Sequence, residues 1–121
     1  KSKKTIEQLV YNTVFGYLSL IFQQFVERNC DVFVFSVPAR VIVSYGKKAL
    51  SSEIAERISL VKEFNKQLSR QAIHLGYSFI DTYSFTANKY GVSNMEFHLD
   101  GTHLSPKALK KIEDIIRISY R

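Results

Sequence analysis

An α/β domain built on a parallel sheet flanked by helices is predicted by three observations along these 121 residues. Apolar residues recur at three-and-four spacing in three separate stretches, the mark of amphipathic helices. Between them lie two short runs rich in β-branched and aromatic residues, each bounded by polar or turn-forming residues. The order is therefore helix, strand, helix, strand, helix. A strand followed by a long helix and a second strand requires parallel strands and a crossover, since an antiparallel neighbour needs only a tight turn.

The first helix is predicted from Thr5 to Arg28, with Ile6, Leu9, Val10, Val14, Tyr17, Leu18, Ile21 and Phe25 as its buried stripe. Thr5 suits the N-cap, and Gly16 in the interior suggests close packing against a neighbour. Val32-Phe33-Val34-Phe35-Ser36-Val37 is then a nearly unbroken apolar run between Asp31 and Pro38, which predicts a central strand buried on both faces. The segment after Pro38 reads as an irregular loop, with a further short strand possible at Val41 to Ser44.

From Ser51 or Ser52 a second helix places Ile54, Ile58, Val61, Leu68, Ala72 and Leu75 on one face and stops at Gly76. Asn65 falls within that stripe, as a half-buried amide bonded to nearby backbone or as a substrate contact. Tyr77-Ser78-Phe79-Ile80-Asp81 follows as a strand. Residues 82 to 103 make a long connection that is either functional or holds a short helix. Ser105 as N-cap and Pro106 at the first helical position open the last helix, with Leu109, Ile112 and Ile116 facing inward. Two parallel strands cannot bury three amphipathic helices, and a doubly wound sheet has about five strands. The expectation is that further strands precede the first helix.

Composition narrows the function classes. A hydrophobic fraction of 45% with 7 Tyr and 9 Phe excludes a disordered chain. The single cysteine, Cys30, excludes an internal disulfide and, just before an apolar strand, is expected to be a buried, inert thiol. No apolar run reaches the roughly 20 residues of a membrane span, and no secretory leader opens the chain, so either the setting is intracellular, the favoured expectation, or a targeting segment lies outside this sequence. The net charge of +6 suits a polyanionic partner such as RNA. Against that, Lys107, Lys110, Lys111, Arg117 and Arg121 share one helix with Glu113 and Asp114, which reads as a solvated face.

The chemistry concentrates in Asp100-Gly101-Thr102-His103, directly before the last helix. An imidazole takes a proton from a hydroxyl nucleophile efficiently when its other nitrogen is held by an acceptor. A carboxylate one short turn away supplies that acceptor, so Asp100 and His103 read as the orienter and base of a hydrolytic triad. In open α/β sheets ligands gather at the carboxyl ends of strands, and the loop after Asp81 delivers the pair to that edge. His98, Asp100 and His103 also admit a metal reading, which the lack of a cysteine partner and the triad roles of two members disfavour. His74 near a helix end reads as ordinary capping. Tyr83, Phe85, Tyr90, Met95 and Phe97 either wall an acyl pocket or pack onto the core.

Several features together resemble the C-terminal half of the SGNH, or GDSL-type, hydrolases. These are the strand ending at Pro38, the helix with interior Asn65, the strand ending Phe79-Ile80-Asp81, and Asp100-Gly101-Thr102-His103-Leu104-Ser105. The resemblance spans roughly residues 7 to 118, and only the last segment is diagnostic. It implies a three-layer, flavodoxin-like parallel sheet, here partial, and a serine esterase or lipase acting on a carboxylic or acetyl ester without a cofactor or metal. By the resemblance, His103 is the general base and Asp100 its orienting partner. The nucleophile and oxyanion hole belong to earlier blocks of the family, and neither Gly-Asp-Ser nor Gly-x-Asn-Asp occurs in this chain. Ser36, in a buried strand, is expected to bond backbone rather than attack an ester. The expected partner is thus the N-terminal half of the same domain. The alternative is a catalytically inactive module of this fold that binds RNA or another polyanion.

Overall fold

The computed structural model describes residues 3–41, 52–100 and 103–119. The elements run α1 (Lys3–Phe25), β1 (Phe33–Phe35), α2 (Ser52–His74), β2 (Ser78–Ile80), α3 (Thr82–Thr86) and α4 (Pro106–Ser119). β1 and β2 pair as a small parallel sheet with α2 as the crossover, so the predicted α/β class and strand direction hold. Its ladder is carried by Ser78 N donating to Val32 O at 3.1 Å and Ser36 N donating to Ile80 O at 2.9 Å.

The chain divides into two compact units, one of Lys1–Val34 with Ser59–Phe79 and one of Phe35–Ile58 with Ile80–Arg121. In the first, Val10, Val14 and Leu18 of α1 pack with Val34 of β1 and Leu68 and Ala72 of α2. Phe64, Leu75, Tyr77 and Phe79 close over this cluster. Only part of the predicted α1 stripe is inside: Ile6, Leu9, Tyr17 and Phe25 are exposed, as are Tyr11, Phe15 and Leu20 on other sides of the helix. The helix is apolar around most of its circumference, so periodicity alone could not select the buried face.

Several expectations are corrected. α1 begins at Lys3, which places Thr5 inside the helix, and it ends at Phe25 because the next residues leave helical geometry in a turn closed by Arg28 N donating to Phe25 O. Gly16 is not a packing glycine, since a Cβ there would meet nothing within 4 Å. β1 is buried on one face rather than both. Val34, which packs with residues of α1 and α2, and Ser36 are buried, while Phe35 and Val37 on the other face are exposed. Cys30 is exposed: it sits in the turn after α1, before the strand begins. The possible strand at Val41 to Ser44 falls almost wholly on 42–51, outside the described residues, as do Ser51, Gly101, Thr102 and Arg121.

α2 matches its prediction closely, from Ser52 to His74, with His74 in its last turn and Gly76 at a φ of 82° that favours a residue lacking Cβ. Asn65 is buried among the apolar positions of that helix. The connection after β2 does hold a short helix, α3, capped by Asp81, whose carboxylate accepts from Ser84 N. α4 starts as expected, with Ser105 Oγ accepting from Ala108 N at 3.3 Å. Its inward residues are Ala108 and Ile112, with Ile116 partly covered. Leu109 points away and is 58% exposed, because it lies a quarter turn off the Ala108–Ile112 line.

Among the described residues no helix is long and apolar enough to cross a membrane. The polar side of α4 carries its own counter-ions. Lys110 lies 3.2 Å from Asp114, Arg117 pairs with Glu113, and Lys107 reaches Glu96 at 2.6 Å. Exposed pairs of this kind contribute little stability, but they leave the face closer to neutral than its lysines suggest.

Candidate active site

The second unit builds the site from the segments that leave the carboxyl ends of the two strands. Ser36 follows β1 and is 2% exposed. Its Oγ accepts from Tyr83 N at 2.9 Å, lies 3.2 Å from Thr82 Oγ1 and donates toward Asp81 at 3.3 Å. Thr82 in turn donates to Ser36 O. One turn further, Thr86 Oγ1 accepts from Ala39 N at 2.9 Å and donates to Thr82 O. Buried hydroxyls thus satisfy the backbone where β1 gives way to the next loop and where α3 starts. The Ser36 hydroxyl thus bonds backbone at the Tyr83 amide, as expected, and also meets the Asp81 and Thr82 side chains.

Ser36→Ala should therefore act on stability alone. Removing Oγ leaves the Tyr83 amide without its acceptor, and a buried unsatisfied donor costs about 1–3 kcal/mol. A urea melt should register that loss, while any ester turnover per folded molecule stays unchanged; a selective loss of turnover would restore Ser36 as a nucleophile candidate.

Beyond α3 the chain doubles back. Ser93 N donates to Arg40 O at 2.8 Å and Asn94 N to Thr86 O at 3.0 Å, which ties the long connection to the exits of both strands. Gly91 allows this return at a φ of 86°, where an added Cβ would lie 2.9 Å from Ile58 Cγ2. Tyr83 Oη donates to Gly91 O at 3.0 Å, and burial pushes the Tyr83 phenol above its ordinary range. Of the five residues offered as pocket wall or core, Phe97 is buried and meets Phe85 edge-on at 5.3 Å between centroids, whereas Tyr90 and Met95 are exposed.

Asp100 and His103 come together as the sequence indicates. His103 Nδ1 lies 2.9 Å from Asp100 Oδ2 and 3.1 Å from Oδ1, and the His103 amide donates to Oδ1 at 2.8 Å. A carboxylate has no proton to give, so Nδ1 must donate. In the neutral ring this places the lone pair on Nε2, the tautomer a general base requires. The pair is open to solvent, with side-chain exposures of 74% for His103 and 56% for Asp100. It has the geometry of an orienter and base without the water exclusion that strengthens such groups.

His98 is not part of that pair. Its Nδ1 lies 2.6 Å from Ser93 Oγ. Burial lowers the His98 pKa below its ordinary value, and the nearby Asp100 carboxylate opposes this with a smaller effect. Among the described residues no group of three or more His, Cys, Asp or Glu side chains is arranged to hold a metal ion. Sequence reasoning missed two features: the hydroxyl cluster of Ser36, Thr82 and Thr86, and the Ser93–His98 contact. Asp81 three residues before Ser84 was a legible N-cap signal for the first; nothing in the spacing marked the second.

No protein-family model and no curated protein matches this chain.

Proposed function

We propose that this chain is the base-bearing part of an SGNH-type serine esterase domain acting on a carboxylic or acetyl ester. The observation that carries the reading is the Asp100–His103 pair, in which Nδ1 is committed to a carboxylate at 2.9 Å, so that in the neutral ring the basic nitrogen is Nε2. A serine from a segment outside these residues would give its proton to His103 Nε2 as its oxygen attacks the ester carbonyl. The imidazolium, stabilised by Asp100, returns that proton to the departing alkoxide. Water, giving a proton to the same nitrogen, then attacks the acyl-serine carbonyl; the acid departs and the proton passes to the freed serine oxygen.

The finer fold, a three-layer flavodoxin-like sheet completed by further strands, belongs to the same proposal. It is supported by the parallel pair joined through α2 and by the apolar surface of α1, where Phe15, Tyr17 and Leu20 are each more than half exposed. A helix apolar on several sides suits a position between two layers better than one on a surface.

Asp100→Asn tests the reading. The amide holds the ring in place but can offer its NH2 to Nδ1, which turns the imidazole to the wrong tautomer. In the complete domain kcat toward a short-chain p-nitrophenyl ester is expected to fall about 10⁴-fold with KM little changed. A loss below about tenfold removes Asp100 from the mechanism.

An RNA-binding module of the same fold is the second reading, supported by the net charge of +6. The ion pairs of Lys107, Lys110 and Arg117 weigh against it. It calls for affinity that falls steeply with salt as phosphates are neutralised.

A further inference from the structure

Asp100 and His103 lie near the end of a short chain reversal. His98 and Leu104 form an antiparallel bridge, Leu99 N donates to His103 O at 2.9 Å, and Ser105 N donates to Phe97 O at 2.8 Å. On the α4 side this reversal is held by Ser105 Oγ donating to Glu96 O at 2.9 Å. On the other side its anchor is the Ser93–His98 contact, 2.6 Å between Oγ and Nδ1.

Ser93 is well placed to anchor. It is buried, its amide is fixed on Arg40 O, and it bridges Ala87. Its hydroxyl also accepts from Met95 N at 3.1 Å, in a turn where Met95 takes a φ of 72°. A non-glycine residue in that region is held there at a cost of about 1–3 kcal/mol, which surrounding bonds must offset. Ser93 Oγ has one proton. With the Met95 amide donating to the oxygen, the hydroxyl still has this proton and a second lone pair, so it meets His98 Nδ1 in either tautomer of the ring. The titratable and charged groups on adjoining segments are Asp100 and His103, and Glu96 paired with Lys107 of α4.

We propose that the Ser93–His98 hydrogen bond is a brace for the catalytic turn, so that His98 and Ser93 are positioning residues for His103. The brace acts through the backbone: it sets the base of the reversal, and the reversal sets the Asp100 carboxylate against His103 Nδ1. Its catalytic consequence rests on the esterase reading, but its structural content does not.

The test reads the His103 ring tautomer from two-bond ¹H–¹⁵N correlations in mildly alkaline solution. In the unaltered protein the Nδ1–H form is expected to predominate. Ser93→Ala removes the brace and leaves both imidazoles in place; the Nδ1–H form of His103 is expected to be lost in favour of the Nε2–H-rich mixture of a free imidazole. His98→Ala breaks the bond from the other partner and should do the same, whereas His98→Asn keeps an acceptor near the Nδ1 position and should restore it. A folded Ser93→Ala or His98→Ala protein that retains the Nδ1–H form overturns the proposal. So does loss of the fold in both, since the bond would then hold the whole unit rather than the turn. Ester turnover is not read here: a brace without esterase activity in the complete domain would sink the catalytic reading alone.

Discussion

Replacing His103 with Ala in the complete domain is expected to remove nearly all turnover of a short-chain p-nitrophenyl ester, a loss of kcat on the order of 10⁴ to 10⁶. The size follows from what the imidazole does twice. It takes the serine proton as the carbonyl is attacked, and it gives that proton to the leaving group; without it, both steps fall to water. The stability of the protein should hardly change, because His103 is exposed and its pairing with Asp100 is a solvent-screened contact. That separation makes the variant informative. A catalytic loss accompanied by an unchanged denaturation midpoint is chemistry, whereas parallel losses would point to misfolding. Steady-state kinetics and a urea melt on the same preparation distinguish them.

The largest stability effect is expected at Leu18. It is 1% exposed and lies at the centre of the cluster that joins α1, β1 and α2. Leu18→Ala removes buried methyl groups and leaves a cavity between elements that cannot collapse fully, at a cost of about 2–5 kcal/mol. For a domain whose whole stability is about 5–15 kcal/mol, that is a third or more of the total in many cases. Leu20, further along the same helix, is 59% exposed. Leu20→Ala should move the midpoint by no more than about 0.5 kcal/mol in this chain. Equal effects at the two positions would mean that α1 is buried on a different face.

Where a feature was legible in the sequence, it was written locally. α2 carries a clean apolar stripe and a glycine stop, and Ser105-Pro106 marks the start of α4 by capping and by a fixed φ; each boundary depends on a few neighbouring residues. The Asp100–His103 pair was legible for the same reason, since a three-residue spacing within one turn leaves little freedom. What failed depended on neighbours the local string does not name. The run from Val32 to Val37 is apolar but for Ser36, yet which of its faces is covered depends on which elements pack over the sheet. Cys30 and Leu109 were assigned inward from adjacent apolar residues, although a turn in one case and a quarter-turn of helix in the other send them out. The Ser36–Thr82 contact spans 46 positions, and no spacing rule reaches that far. The Ser93–His98 contact is short-range, but it arises from a chain reversal with no periodic signature.

α1 bears on the proposed larger domain. Its low contrast between faces misled the assignment of its buried stripe, and the same property supports a place for it inside a larger domain. In that domain the open setting of His103 would be closed by the layer carrying the serine, and water exclusion would raise the strength of every charge interaction in the site.

The most direct measurement is covalent labelling of the complete domain by a fluorophosphonate, read by intact mass and peptide mapping. An activated serine attacks such a probe, and its activation depends on the base. The expected result is one adduct per domain, on a serine outside these 121 residues, and almost none in the His103→Ala protein. Labelling that persists undiminished after His103→Ala, or that maps to Ser36, would contradict the assignment of His103 as the general base of an SGNH-type esterase.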